Sequence, residues 1–121
     1  MNGFRFTPGP WVVDESRYEG SVNRLEPFRH IGMVSQFQHD AGSREQNAAN
    51  AKLIAAAPDL LIALKGIVDN AEQRAFEDWL SRTAPSGDCD SVHSQWLESS
   101  DCSDFAAEWD APLTAITKAI A

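Results

Sequence analysis

The chain has 121 residues, of which 43% are hydrophobic, and a formal net charge of −8 at pH 7. This length predicts one domain with a modest core, and the hydrophobic fraction excludes wholesale disorder. The acidic balance argues against a nucleic-acid ligand, because phosphate binding needs clustered Lys and Arg. No apolar run approaches the roughly 20 residues that span a bilayer, and the N-terminus lacks the apolar core of a signal peptide. We therefore expect a soluble, cytoplasmic protein.

The charges are distributed unevenly along the chain. Residues 1–46 contain five Arg and six acidic residues, so this part is nearly neutral. Residues 69–110 contain eleven acidic residues and only Arg74 and Arg82 as cations. A negative surface of this kind can steer association with a basic partner, or it can simply be a solvated face.

The N-terminal third predicts a small antiparallel sheet. Turn residues at positions 7–10 precede a short β-type segment at 11–13. A second extended segment is expected within residues 22–28, and alternating apolar residues make 30–38 the strongest strand prediction. Because a lone hairpin is marginally stable in water, this sheet is expected to pack on a helix.

The middle of the chain predicts two consecutive helices. Ser43 followed by Gln46 fits a capping box at the start of a helix over residues 44–57. Pro58 lacks an amide hydrogen and clashes with the preceding turn, so it is expected to end or sharply kink this helix. As the first residue of a second helix, running to about residue 82, Pro58 would be well placed.

The C-terminal part predicts further helices. A short helix is expected over residues 92–99, and Asp101 or Ser103 can cap a final helix that Pro112 kinks or restarts. The predicted fold class is therefore α+β, as a single domain over residues 1–121. Its two- or three-stranded sheet, within residues 10–38, would pack on a C-terminal bundle of three to four helices, within residues 43–121.

Two stretches of this sequence resemble a group of small phage and prophage proteins. The first is Thr7-Pro8-Gly9-Pro10-Trp11, and the second is Asn50-Ala51-Lys52-Leu53-Ile54-Ala55-Ala56-Ala57-Pro58-Asp59-Leu60-Leu61. Members of that group resemble one another in a "TPGPW" opening, a short β region and an "NAxLIAAAPxLL" helical motif. The resemblance covers about residues 7–68. It implies a phage or prophage origin and an accessory role, and it supplies no catalytic motif.

No residue pattern in the sequence indicates an enzyme or a metal site. Cys89, His93 and Cys102 have the spacing Cys-x3-His-x8-Cys, which lacks the close ligand pair that usually sets zinc geometry. Two cysteines are too few for a disulfide scaffold and are expected to be free thiols in a reducing cytoplasm. We therefore predict no catalytic residues, no metal and no cofactor.

Two sets of residues are candidates for binding. An exposed Trp is typical of a binding hot spot, and Asp side chains around it could meet a basic partner. The predicted partner-binding residues are Trp96, Asp88, Asp90, Asp101 and Asp104. The alternative is a ligand site with cations for phosphate and amides for hydrogen bonding. The predicted residues of that site are Arg24, Arg29, Arg44, Asn47 and Asn50.

Three functions remain open from the sequence. The first is a non-enzymatic phage accessory protein that binds and inhibits a host protein, such as a CRISPR complex or another defence system. The second is an oligomeric protein that sequesters a nucleotide signal, and the third is a small enzyme. Apolar stripes on the predicted helices also suggest a homodimer, since a chain this short can leave such stripes uncovered.

Overall fold

A computed structural model of the chain describes residues 5–16, 18–34 and 41–120. It places a small antiparallel sheet before the helices and confirms the α+β class. The fold comprises two compact units, which we call unit 1, within Met1–Ile62, and unit 2, within Ala63–Ala119. The expectation of a single domain stays a prediction.

The sheet belongs to unit 1 and has three strands in sequence order. These are β1 (Val12–Val13), β2 (Ser21–Leu25) and β3 (Phe28–Met33), and both pairings are antiparallel. Leu25 pairs with Phe28, so Pro27 lies in a two-residue turn and not within a strand. The third strand thus begins two residues earlier than predicted. Residues 35–38 of the predicted strand lie outside the described residues.

The register of β2 and β3 shifts between Val22 and Asn23. Such a bulge interrupts the strict alternation of inward and outward side chains. In agreement with this, three consecutive residues of β2, Ser21, Val22 and Asn23, are all buried. The sheet therefore buries a polar side chain, Asn23, beside its apolar core residue Val22.

The helix α1 (Ala41–Thr83) runs through Pro58 without ending. The prediction of two helices separated at Pro58 is therefore wrong. Strong helix formers on both sides sustain the helix, and the buried Pro58 contacts the N-terminal segment. A Cβ atom added to Gly9 would lie only 3.1 Å from Pro58 Cβ. The capping prediction for Ser43 is also wrong, since Ser43 is buried and lies inside the helix.

Unit 2 contains the end of α1 and three short helices. These are α2 (Cys89–Glu98), α3 (Ser100–Glu108) and α4 (Asp110–Ile120). Ser99 caps α3 by accepting a hydrogen bond from the Cys102 amide, so the expected caps Asp101 and Ser103 are corrected to Ser99. The helical path restarts at Asp110. Pro112 then lies in the first turn of α4, where no intrahelical amide donor is needed.

Aromatic side chains form the core of unit 2. The ring of Trp96 lies 5.5 Å from the ring of Phe76 and 5.6 Å from that of Trp79. Trp96 is only 3% exposed, and Trp79 is buried as well. These contacts attach α2 to the C-terminal part of α1. None of the helices in the described part of the chain contains a segment apolar and long enough to cross a bilayer.

Candidate functional site

A pocket of about 430 Å³ lies on the sheet of unit 1. Its lining combines buried polar groups with exposed aromatic and apolar side chains. The lining residues are Asp14, Ser16, Tyr18, Ser21, Asn23, Phe28, His30 and Met33. They come from β2, β3 and the segment that joins β1 to β2. The two-residue turn and the bulge therefore build this pocket from a short stretch of chain.

A hydrogen-bonded chain of three side chains crosses the pocket. Asn23, which is 5% exposed, donates from Nδ2 to Asp14 Oδ2 at 3.1 Å. Its Oδ1 lies 2.7 Å from His30 Nδ1 and accepts a hydrogen bond from Ser21 Oγ at 3.3 Å. Asp14 is itself held in place, because its Oδ1 accepts from the Ser16 amide at 3.2 Å. The buried amide is thus bonded at both of its ends.

This chain determines which nitrogen of His30 carries a proton. An ionised carboxylate only accepts hydrogen bonds, so the Asn23 amide must present its nitrogen to Asp14 and its oxygen to His30. His30 Nδ1 therefore donates. In the neutral ring, Nε2 then carries a lone pair and can accept a hydrogen bond from a bound group. The pocket suits a group that combines an apolar body with a polar donor.

Large apolar side chains around this pocket are exposed. Tyr18 is 64% exposed and Phe28 is 60% exposed, and Met33 is about half exposed. Leu25, the strand partner of Phe28, is also exposed. Aromatic residues and Met are enriched in the cores of protein interfaces. We call these four residues, Tyr18, Leu25, Phe28 and Met33, the sheet surface.

The structure corrects the prediction that Trp96 is an exposed binding residue. Asp88 caps α2 by accepting from the Ser91 amide at 2.9 Å, so the Ser- and Asp-rich segment begins a helix there. Trp96 then lies one turn after Val92, on the side of α2 that packs against Trp79. Its ring is buried in the core and is not available to a partner.

The four predicted acidic residues have different roles in unit 2. Asp88 caps α2, and Asp101 forms an ion pair with Arg82, which also binds Asp78 at 2.9 Å. The hydrogen bonds that Arg82 donates to Asp101 and to Asp78 raise the pKa of its guanidinium group. Asp90 and Asp104 are exposed, and the described residues offer them no hydrogen bond or ion pair. Only the latter two have carboxylates entirely free for a partner.

The predicted alternative ligand residues lie on three elements of unit 1, namely β2, β3 and the start of α1. Arg24 and Arg29 are directly opposite one another on β2 and β3, and Arg24 Nε has no hydrogen-bond partner among the residues that the structure describes. Arg24 also lines a second depression of about 520 Å³ together with Pro10, Val12, Leu25 and Glu26. The remaining three residues lie on the first turns of α1. These are Arg44, Asn47 and Asn50.

The cysteines and acidic residues form no metal-binding group in the described ranges. Cys89 is exposed and Cys102 is half-buried, and both are free thiols.

The sequence contains one signal for the polar pair in this pocket, which is the two-residue turn before Phe28. A two-residue turn at positions 26–27 pairs Leu25 with Phe28 and therefore Asn23 with His30. Such an assignment would have predicted that the two polar side chains meet across the strands. The burial of Asn23 could not be inferred in this way, since it depends on the bulge.

The two motifs that carried the phage resemblance meet in unit 1. Gly9 of the "TPGPW" opening lies against Pro58 of the helical motif, and Trp11 Nε1 donates to the Thr7 carbonyl at 3.0 Å. Searches of curated proteins and of solved structures find no match to the chain. A family model described as Salmonella phage P22 protein Y8K6 matches residues 1–121, and the chain therefore belongs to this phage protein family.

Proposed function

We propose that this phage accessory protein binds a host protein in the host cytoplasm and inhibits it, without catalysing a reaction. The inhibited protein would be part of a defence system, such as a CRISPR complex. The observation that carries the proposal is the sheet surface, where Tyr18 and Phe28 are 64% and 60% exposed around a pocket with a buried polar centre. Exposed aromatic side chains next to oriented polar groups are the usual components of a binding hot spot.

The polar centre adds specificity to this surface. Asn23 is held by Asp14 and Ser21, so His30 is presented in one orientation. A partner group that fills the pocket without bonding His30 would leave a polar atom unpaired, which lowers affinity. The sheet surface would therefore supply affinity, and the Asp14–Asn23–His30 chain would select the partner.

The negative charge of unit 2 supports the proposal that the partner has a basic surface. Its residues 63–119 contain eleven Asp and Glu and only four Lys and Arg, a net charge of −7. Exposed charges of this kind mainly raise the rate of association with a basic protein, and salt screens the effect. A groove built for nucleic acid is one surface with the required charge.

Affinity capture from host lysate tests the proposal. The wild-type chain, the variant Tyr18→Ser with Phe28→Ser, and a control with Leu97→Ser are immobilised separately. Leu97 is exposed like the sheet-surface residues but lies on α2 in unit 2. We expect the wild type and the control to retain the same host protein, whose activity then falls on addition of the chain, and the sheet variant to lose it. Equal capture by all three proteins would contradict the proposal.

A second function is favoured by the arginine pair on the sheet. Arg24 and Arg29 face one another in register, and among the described residues neither forms an ion pair. Two neighbouring guanidinium groups can bind phosphate with charge-assisted hydrogen bonds. The alternative is therefore sequestration of a nucleotide signal. Equilibrium dialysis with a panel of cyclic nucleotides tests it, and binding that disappears in Arg24→Gln with Arg29→Gln would support it over inhibition of a host protein.

A further inference from the structure

The first part of α1 has apolar residues on two sides. Ala51 and Pro58 are buried within unit 1. Leu53 and Leu60 each follow one of them by two residues, which is about 200° around the helix axis. Leu53 is 64% exposed and Leu60 is 54% exposed. The side of the helix that faces away from the core of unit 1 therefore also carries large apolar side chains.

These exposed residues follow the spacing of a helix–helix seam. Ala49, Leu53, Ala56 and Leu60 succeed one another at steps of four, three and four residues, and the stripe alternates small and large side chains. Ala49 is exposed, and Ala56 is half-buried. A repeat of alternating three- and four-residue steps is the pattern by which two helices pack along a common seam. We call these four residues the α1 stripe.

We propose that the α1 stripe is the interface with a second copy of this chain, in which the two helices run antiparallel. An antiparallel pair with its two-fold axis between positions 54 and 55 places Leu53 against Ala56 of the second copy. It also places Leu60 against Ala49 of the second copy. Each layer then combines one leucine with one alanine, so the helices can approach closely and no layer is overfilled or empty. The stripe is self-complementary, as a two-fold interface requires.

The charges beside the stripe agree with this arrangement. Lys52 and Asp59 flank Leu53 and Leu60 on the same side, and both are exposed. In the antiparallel pair, Lys52 of each copy faces Asp59 of the other, which forms two ion pairs. In a parallel pair, positions 52 and 59 of the two copies would lie on opposite sides of the seam, so Lys52 would not meet Asp59 of the other copy. The charges thus favour the antiparallel partner, and a helix from another protein would need the same combination of sizes and charges.

Sedimentation equilibrium of the purified chain tests the proposal. The single chain has a mass of 13.3 kDa, and we expect twice this mass at about 100 µM. The variant Leu53→Lys with Leu60→Lys is expected to remain a monomer. The control is Ile62→Lys with Leu97→Lys, which replaces two apolar residues of similar exposure outside the stripe and makes the same change in net charge. The control is expected to stay dimeric, with circular dichroism confirming the helical content of each variant.

A charge exchange tests the orientation without altering the apolar seam. Lys52→Asp replaces two attractive pairs by two repulsive ones, and we expect the dissociation constant to rise about tenfold or more. Adding Asp59→Lys restores opposite charges and should return the constant to its original range. A wild-type chain that sediments as 13.3 kDa at 100 µM would overturn the proposal, as would equal loss of dimer in the stripe variant and the control. Dimers insensitive to the charge exchange would overturn the antiparallel arrangement.

Discussion

Unit 1 and unit 2 differ in what they bury and what they expose. Unit 1 buries a polar residue, Asn23, and exposes the apolar sheet surface, whereas unit 2 buries aromatic rings around Trp96 and exposes carboxylates. Residues 1–62 contain seven acidic residues and six Lys and Arg, against eleven and four in residues 63–119. Unit 2 thus has the usual arrangement of a folded domain, with apolar side chains buried and charged side chains exposed. Unit 1 departs from this arrangement. Departures of this kind are expected where a protein binds something.

The comparison predicts first that Trp96 supports the stability of unit 2. Trp96→Ala removes a ring that contacts both Phe76 and Trp79, so we expect a loss of about 3–5 kcal/mol in the free energy of unfolding. Urea unfolding followed by circular dichroism measures this loss. Leu97→Ala, one residue further on α2 but exposed, should change the free energy by less than about 0.5 kcal/mol. Similar losses in the two variants would remove the distinction between core and surface on α2.

A second prediction concerns the buried polar centre of unit 1. Asn23→Ala leaves Asp14 and His30 without their common partner, and we expect a loss of about 1–3 kcal/mol. Asn50→Ala, at an exposed position of α1, should cost less than about 0.5 kcal/mol. Hydrogen exchange locates the effect, since amides of β2 and β3 should exchange faster while those around Trp96 stay protected. Unchanged protection in the sheet would show that Asn23 does not organise it.

The smallest effect is expected at the start of α2. Asp88→Ala removes the side chain that accepts from the Ser91 amide, and a lost cap of this kind costs about 1 kcal/mol. Asp104→Ala, which removes an exposed carboxylate without such a bond, is the matched control. Chemical unfolding of both variants distinguishes a capping residue from a solvated charge. An equal effect of the two substitutions would mean that net charge, and not the cap, determines the change.

The sequence was informative where local chemistry decides the structure. Turn residues and alternation predicted the sheet, and helix formers predicted the helices, which together establish the α+β class. The predicted helix end at Pro58 is wrong because its buried environment against Gly9 and the strong helix formers around it outweigh the local preference of proline. The prediction of an exposed Trp96 is wrong because the polar residues around it indicate a solvent-facing segment, whereas its ring packs against Trp79 and is buried.

Most of the candidate site could not be predicted from the sequence, because it depends on the assembled structure and not on local preferences. The burial of Asn23 depends on the bulge between Val22 and Asn23, and the exposure of Tyr18 and Phe28 is likewise a property of the assembled structure. The four acidic residues predicted to bind a partner also differ in the contacts that they make in the structure. Asp88 and Asp101 have structural partners, and Asp90 and Asp104 remain available. Substituting only Asp90 and Asp104 therefore tests the acidic surface without removing a helix cap or an ion pair.

The central claim is that the sheet surface holds the host protein and the acidic surface of unit 2 attracts it. Surface plasmon resonance with the captured, purified host protein tests both parts in one experiment. For Phe28→Ser we expect faster dissociation with a nearly unchanged association rate, because lost hot-spot contacts act after encounter. For Asp90→Asn with Asp104→Asn we expect slower association and a weaker dependence on salt, with unchanged dissociation. A sheet variant that dissociates as slowly as the wild type would contradict the account.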